Sequence, residues 1–488
     1  MNLDTGHKIP RFDYLMLLPI MALAFYIAFI PHQDYPYPVH IDEWVHLAYA
    51  NAMLETGSTA FIDPFMGQST VGLIKPDWGA GFQVFWGIFH QISGISWLTI
   101  FRYFPSVVFI LTVLSVYILA RREGFGLEAA FFACLIPTSV GMLGPAFLVP
   151  VALGMPFIPL ALFLVFNLRT RWVYLVLFLF TSALLLIHAA TAVGLIIVLV
   201  PYILLNMKGD FKRSLWITLA LAIPFLAPFP WIFDMLLPTA KSILTVQPHS
   251  NVIMIPQILQ AYGYLPILFC LIGTFLLAMR GGKRNHALVL SLLVLLLMLA
   301  VYFTFQRGVP IMYYRGLLYG MLMMSIVAGA GLMGVRNLRL PERIGIRLKA
   351  TLVTQNIGKV LCLVLVGLTL AIGIPTHQDN SYYYMIDKAD YEAFVWIEDN
   401  LDDDYDKAMV DPWKATAFVA ITGKNVFART HFSPGSDEME AYDFLNGGSS
   451  DTAFLRENNI SIVYTESPTS NPDLTMVRDK VYLLTGGK

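Results

Sequence analysis

The sequence predicts a polytopic α-helical membrane protein carrying a C-terminal α/β domain, and three observations predict it. Of 488 residues, 57% are hydrophobic and only 13% charged, about half the charged fraction of a soluble domain. The formal net charge of -1 conceals a segregation: residues 1–375 carry a net +10 and residues 376–488 a net -11. Basic residues also recur in every second connection between apolar runs, which is how cytoplasmic loops are marked.

Residues 14–31 form the first apolar run, preceded by Lys8 and Arg11. No small-residue cleavage signature follows it, so it reads as an uncleaved anchor. Further runs of crossing length fall near 98–120, 127–145, 146–168, 171–187, 189–206, 214–236, 261–280, 286–305, 311–334 and 352–374. That gives about 11 spans for a domain over 1–375. With the N-terminus inside, the connections holding Arg121 and Arg122, Arg169 and Arg171, Lys208, Lys212 and Arg213, Arg280, Lys283 and Arg284, and Arg336 to Lys349 are cytoplasmic. The first loop (32–97), the loop 237–260 and everything after about 375 then lie outside. A plasma-membrane, multi-pass chain with an extracytoplasmic C-terminal domain is the expected layout. GFQVFWGIFHQISGI, at 81–95, is apolar but short and reads as an interfacial helix of the first outer loop.

From 376 to 488 the texture changes. YEAFVWIEDNL has apolar residues at helical spacing, whereas KAMVDP, NVFART and ISIVYTE are short strand-like runs. A helix is expected after Asp411-Pro412, with turns at Gly447-Gly448 and Ser467-Pro468. Cys134, Cys270 and Cys362 lie in apolar runs without metal-type spacing and read as small hydrophobes. The span pattern shows no internal repeat, which counts against an inverted-repeat transporter.

Sorting the ionisable residues by side locates the candidate chemistry. Asp34, Asp42, Glu43, Glu55, Asp63 and Asp77 fall in the first outer loop, and Asp234 at the outer end of the seventh run. Outer cations are few: Lys75, Arg102, Lys241, Arg307 and Arg315. An acidic loop beside sparse cations suits an uncharged acceptor and a phosphate-bearing donor.

The stretch HIDEWVHLAYANAMLETG at 40–57 is the centre of this set. Val45, Ala48, Tyr49 and Ala52 repeat with helical period, which predicts an amphipathic helix on the outer face with Asp42 and Glu43 in its first turn. An acid pair there also serves the helix dipole with no catalytic role. His46 lies one turn after Asp42 and can share a hydrogen bond or a metal with it, or be merely solvated; His40 is the weaker neighbour. Asp63-Pro64 and Lys75-Pro76-Asp77 resemble turns. Arg315 and Arg102, near outer span ends, either snorkel or pair with an anion. Tyr313 and Tyr314 suit an interfacial belt. His188, in LLLIHAATAVG, either meets a ligand or joins helices.

Taken in order, HIDEWVHLAYANAMLETG with DPF at 63–65, GPAFLVPVALGMPFIPLAL, IHAATA, YYRGLLYGMLMMSIVAGAGL, VDPWKATAFVAITGK and LRENNISIVYTE resemble the GT-C glycosyltransferase superfamily. The resemblance covers nearly the whole chain. It implies a sugar donor linked to polyprenyl or dolichyl phosphate, a glycan, lipid or protein acceptor, contact with membrane lipids and no nucleic acid. By resemblance, Asp42 is the catalytic acid with Glu43 as partner, the two together able to hold a divalent cation such as Mg or Mn. Arg315 would contact donor phosphate, helped by Lys241, Arg307 or Arg102; His40, His46, Asp63, Lys75, His188 and Asp234 are the candidate substrate contacts. The chain departs from the oligosaccharyltransferase catalytic subunit, whose outer domain bears a WWDxG signature; here the nearest phrase is DPWKA. The departure favours a single-sugar transferase. Two other classes are a transporter or lipid flippase, and a non-catalytic glycan-assembly protein. The composition suits an archaeal or bacterial cell.

Overall fold

The computed structural model describes residues 11–65, 73–74, 80–137, 144–227, 262–305, 310–339, 351–380, 382–402, 404–430 and 435–485. In chain order the elements are α1 (Arg11–Phe29), α2 (Ile41–Thr56), β1 (Phe61–Ile62), β2 (Leu73–Ile74), α3 (Ala80–Ser93), α4 (Trp97–Arg121), α5 (Gly126–Ala133), α6 (Pro150–Gly154), α7 (Phe157–Asn167), α8 (Trp172–Met207) and α9 (Phe211–Leu226). They continue with α10 (Tyr264–Arg280), α11 (Lys283–Phe305), α12 (Pro310–Arg336), α13 (Thr351–Gln378), α14 (Lys388–Asn400), β3 (Lys407–Met409), α15 (Ala415–Thr422), β4 (Asn425–Val426), α16 (Ser436–Asn446), α17 (Thr452–Glu457), β5 (Ile462–Tyr464), β6 (Leu474–Arg478) and β7 (Val481–Leu484). They form two compact units, one of residues 1–33 with 103–381, the other of 34–102 with 382–488. Residues 34–102 thus pack with the C-terminal domain.

In the helical unit, seven helices among the described residues are long and apolar enough to cross a membrane. One of them, α8, has 36 residues, about 54 Å of helix against a hydrocarbon core of about 30 Å. Its backbone leaves helical geometry at His188 (φ -160°, ψ 95°), so it consists of two segments meeting where the sequence places the junction of two spans.

One expected span differs. The described part of 127–145 holds the short α5, which ends at Ala133 ahead of Pro137. Within 146–168, α6 runs on into α7 through Met155 and Pro156, both with helical backbone angles, and residues 150–167 are one of the seven candidate spans. The described part of 214–236 is the C-terminal portion of α9.

Glycine sets the closest helix contact. A Cβ on Gly273 of α10 would lie 1.9 Å from the Val327 carbonyl oxygen of α12, and one on Gly331 of α12 would lie 2.1 Å from the Phe269 oxygen. Small residues at facing positions are how helices associate where lipid removes the hydrophobic drive.

In the other unit, the five-stranded sheet has the order β4-β3-β5-β7-β6. β3 is parallel to β4 and β5, while β7 is antiparallel to β5 and β6. α14 and α15 cover it through Phe394, whose ring meets Phe418 at 5.1 Å and Tyr464 at 4.9 Å. α14 begins with a reciprocal cap between Asp387 and Asp390, and α15 ends at left-handed Gly423 (φ 68°).

The segment between α1 and α4 is fastened to this domain by backbone and side chain. Tyr35 donates to the Ile386 carbonyl at 2.9 Å, Asn51 to Ala420 at 3.3 Å, and the Val426 N–H to the Phe65 carbonyl at 3.2 Å. Arg429 lies over the Phe65 ring at 4.2 Å, a cation–π contact. α2 packs against both α3 and α15. Its buried residues are Glu43, Trp44, Leu47, Ala48 and Ala50, so it is covered on more sides than the one-faced interfacial helix the sequence pattern predicts; Val45, Tyr49 and Ala52 are half-buried.

A charged network joins α14, the start of α15 and the end of β5. The Asp390 carboxylate, 1% exposed, receives Lys414 Nζ at 2.8 Å together with the Tyr464 hydroxyl and the Asp387 N–H. Burial alone would raise the Asp390 pKa, but hydrogen bonds from Lys414, Tyr464 and Asp387 and the Lys414 charge outweigh it and hold the carboxyl below its ordinary range. Burial would lower Lys414, yet bonds to Asp390 and Glu466 raise it. A depressed acid contributes stability above its unfolded pKa of about 3.9 and loses it as pH falls through the folded value; a raised lysine contributes below about 10.4 and loses it as pH rises through its folded value. The network therefore stabilises the domain between roughly pH 4 and pH 10.

Two outcomes are expected. Gly273→Ala should destabilise the helical unit by about 3 kcal/mol, read as a lower melting temperature in detergent; unchanged melting contradicts the backbone contact. Lys414→Met strands a buried carboxylate and should cost about 3–5 kcal/mol, with the loss shrinking as Asp390 is protonated in acid. A pH-independent loss contradicts the ion-pair account.

Candidate functional site

The site is built from the start of α2. His40 is the N-cap residue in extended geometry, and its Nδ1 accepts the Asp42 N–H at 3.1 Å. The Glu43 carboxylate turns back to accept the Val39 N–H at 2.8 Å and the His40 N–H at 3.0 Å. These bonds satisfy donors that a helix start leaves orphaned. Glu43 is 0% exposed.

Asp42 is the opposite case. Its side chain is 44% exposed, and its carboxylate accepts no hydrogen bond among the described residues. His40 Nδ1 lies 3.9 Å from Asp42 Oδ2, close enough for an ion pair only if Nδ1 carries a proton. Nδ1 already accepts the Asp42 N–H, so its lone pair is engaged and the ring is neutral, with the proton on Nε2. We therefore read this contact as a cap and not as a salt bridge.

His46, one turn further, pairs through Nδ1 with Gln83 Nε2 of α3 at 2.9 Å and packs on the Phe82 ring at 5.0 Å. The Gln83 amide donates, so this imidazole also keeps its proton on Nε2. Asp63 Oδ1 accepts the Phe65 N–H at 3.0 Å, the turn expected of Asp-Pro. Among the described residues no three or more His, Cys, Asp or Glu side chains are grouped as metal ligands. The donor set at α2 agrees: Asp42 is an accessible carboxylate, but Glu43 is buried with Oε2 accepting two N–H groups. The pair does not fit a two-carboxylate cation site, and no chemical step is routed through a metal here.

In the helical unit, Arg315 occupies the second turn of α12 and is half-buried. Beside it Tyr313 stacks on Tyr302 of α11 at 4.1 Å. His188, at the α8 break, pairs through Nδ1 with Thr191 Oγ1 at 2.7 Å, and Thr191 Oγ1 pairs with the Tyr319 hydroxyl at 2.7 Å. Tyr319 stands one turn after Arg315 on α12, on the same helix face. Arg102 is half-buried near the start of α4. Lys75, Asp234, Lys241 and Arg307 lie outside the described residues.

The structure thus brings His40, Asp42, Glu43 and His46 together on α2, and groups His188 with α12 in the other unit. Sequence reasoning missed Gln83, Thr191 and Tyr319. The signals were present for two of them: Thr191 stands at i+3 from His188, and Tyr319 at i+4 from Arg315.

No known protein family and no curated protein matches the sequence. Solved structures do. The Archaeoglobus fulgidus oligosaccharyltransferase in its apo form superposes with a TM-score of 0.66 at 12% identity, covering 92% of this chain and 69% of that one. ArnT from Cupriavidus metallidurans, bound to undecaprenyl phosphate, superposes with a TM-score of 0.60 at 12% identity over 98% of this chain and 99% of its own. The chain shares the fold of these two GT-C glycosyltransferases. The Archaeoglobus fulgidus oligosaccharyltransferase AglB in complex with an inhibitory peptide and a dolichol-phosphate is also similar (TM-score 0.65, 13% identity, 93% of this chain and 70% of that one). A further structure of that oligosaccharyltransferase holds Zn and sulfate (TM-score 0.57, 12% identity, 92% of this chain and 67% of that one). In the present chain, residues 34–102 and the C-terminal sheet make one unit.

Removing the Glu43 carboxylate should expose how α2 is held. Glu43→Ala leaves the Val39 and His40 N–H groups unsatisfied, at about 1–3 kcal/mol each, whereas Asp42→Asn should leave melting unchanged. Equal melting of both variants contradicts this division of labour.

Proposed function

We propose that the protein transfers a sugar from a polyprenyl- or dolichyl-phosphate carrier to an acceptor hydroxyl at the extracytoplasmic face, with inversion at the anomeric carbon. The supporting observation is the unequal standing of the acid pair: Asp42 exposed and uncommitted, Glu43 buried and holding the backbone that presents it. AglB with dolichol-phosphate and ArnT with undecaprenyl phosphate supply the carrier class.

Asp42 acts as general base on the acceptor hydroxyl. As that oxygen attacks the anomeric carbon, its proton passes to the carboxylate and the bond from the anomeric carbon to the phosphate oxygen breaks. The leaving phosphate takes the electron pair. Single displacement from the opposite face inverts the centre. Glu43 fixes the first turn of α2 and is a positioning residue. Arg315 balances charge developing on the phosphate, with Arg102, Lys241 and Arg307 as further cations, while His40, His46, Asp63, Lys75, His188 and Asp234 are the proposed substrate contacts. The acceptor is a glycan, lipid or protein, and a single sugar is the unit moved.

The break in α8 is the observation that favours a second reading, a transporter or flippase, since interrupted helices are built into such proteins. Its signature would be lipid flux in proteoliposomes without sugar transfer.

The decisive measurement supplies radiolabelled polyprenyl-phosphate sugars to membranes holding the protein and follows label into lipid and protein fractions. Wild type should transfer label, and Asp42→Asn should lose at least about a hundredfold with unchanged folding. Full turnover by Asp42→Asn rules out the base.

A further inference from the structure

The two ends of α8 come together. A straight helix would set Tyr174 and Ile203 about 44 Å apart. Yet the Tyr174 ring lies 6.1 Å from the Trp216 ring of α9, and Ser214, two residues before Trp216, donates to the Ile203 carbonyl at 3.2 Å. α8 therefore folds back at His188, where its backbone leaves helical geometry. The start of α8, the end of α8 and the start of α9 share one end of the helical unit.

Cations tie that end. Arg213 is buried, and its guanidinium donates to the Leu168 carbonyl at 2.9 Å, joining α9 to the end of α7. Lys283 donates to Asn206 Oδ1 and Arg284 to Asn167 Oδ1, each at 3.3 Å. The segments gathered here, 121–125, 168–171, 208–213 and 280–284, hold ten Lys or Arg and two acids. Both acids are engaged: Glu123 meets Arg284 at 3.5 Å, and Asp210 accepts the Arg213 N–H at 3.3 Å. Among the described residues, no carboxylate balances the exposed Arg171 and Lys212.

These two cations stand above an apolar lane. Arg171 precedes Tyr174 by three residues and Lys212 precedes Trp216 by four, so each lies one helical turn from a member of the ring pair and on its face. Leu175 and Leu179 of α8 and Leu215 of α9 are exposed on the same two faces. Charge at the helix starts, rings next and alkyl surface beyond is the order of groups in a phospholipid at a bilayer surface. Tyrosine and tryptophan settle at headgroup level, and basic residues beside spans attract anionic headgroups. The candidate spans Pro150–Asn167 and Trp172–Met207 put this end at that level.

We propose that Arg171 and Lys212, with Tyr174 and Trp216 beneath them, form a seat for one anionic phospholipid of the surrounding bilayer. Its phosphodiester bonds to the two cations, and one of its chains lies along Leu175, Leu179 and Leu215, so the lipid bridges the first turns of α8 and α9. The seat is at the end of α8 remote from His188 and does not depend on the transferase reading.

The test uses the full chain in neutral detergent micelles, titrated with phosphatidylglycerol or phosphatidylcholine whose chains carry bromine, a quencher of nearby tryptophan. Wild type should be quenched by phosphatidylglycerol at about a twentyfold lower concentration than by phosphatidylcholine. Arg171→Gln and Lys212→Gln should each weaken the phosphatidylglycerol response about fivefold, the effect of one cation near a membrane surface, and leave the phosphatidylcholine response unchanged. Trp216→Phe keeps a ring and should lower the quenching that phosphatidylglycerol causes. Lys208→Gln, at the same end but on neither helix turn that bears a ring of the pair, should change the response less than about twofold at about 0.15 M salt.

Equal quenching by the two lipids in wild type overturns the proposal, as do Arg171→Gln and Lys212→Gln proteins that keep the wild-type preference. A loss in Lys208→Gln as large as theirs means diffuse attraction to surface charge and overturns the seat. Displacement of phosphatidylglycerol by an equal concentration of inorganic phosphate overturns the assignment to a lipid.

Discussion

The carboxylate of Glu43, buried with no exposed surface, holds the N–H groups of Val39 and His40, and the geometry of the candidate site depends on it. Without it the first turn of α2 has no means of satisfying those donors away from water. With it, the helix start is fixed, His40 can cap the Asp42 N–H, and the half-exposed Asp42 carboxylate accepts no hydrogen bond among the described residues. Two adjacent acids of near-identical chemistry thereby take opposite roles: burial commits one to the backbone and exposure leaves the other available.

The same helix is held from outside. Packing of α2 against α15, with Phe65 receiving the Val426 N–H and lying under Arg429, attaches the segment between α1 and α4 to the C-terminal sheet. The Asp390–Lys414 pair then anchors the start of α15 to α14 and, through Tyr464, to β5.

Much of this was legible in the sequence because it rests on local rules. Apolar runs of crossing length, the helix at YEAFVWIEDNL, the strands at KAM and IVY and the turn at Asp63-Pro64 follow from periodicity and turn chemistry. The short α5 was less legible, since a proline or glycine in an apolar run can kink a helix or end it and the sequence does not say which. The buried face of α2 was misjudged because its period was read against one neighbour, whereas α3 and α15 both pack on it. Glu43 was placed in the site but its role was not: a dipeptide of acids does not reveal which one is buried. Thr191 and Tyr319 lie 128 positions apart, and nothing local couples them.

Glycine explains why that long-range pair can form. In a membrane, helices gain little from hiding apolar surface, since lipid is as apolar as leucine, so close approach and interhelical hydrogen bonds must hold them. Gly273 and Gly331 bring α10 and α12 to backbone contact, and Gly154 and Gly194 admit Thr191 and the Tyr319 ring. Polar side chains between helices need short, directed bonds, which only such closeness permits. A Cβ at Gly194 would run into the Tyr319 ring and one at Gly154 into Thr191, so these two glycines clear the space in which the 2.7 Å bond between Thr191 and Tyr319 forms.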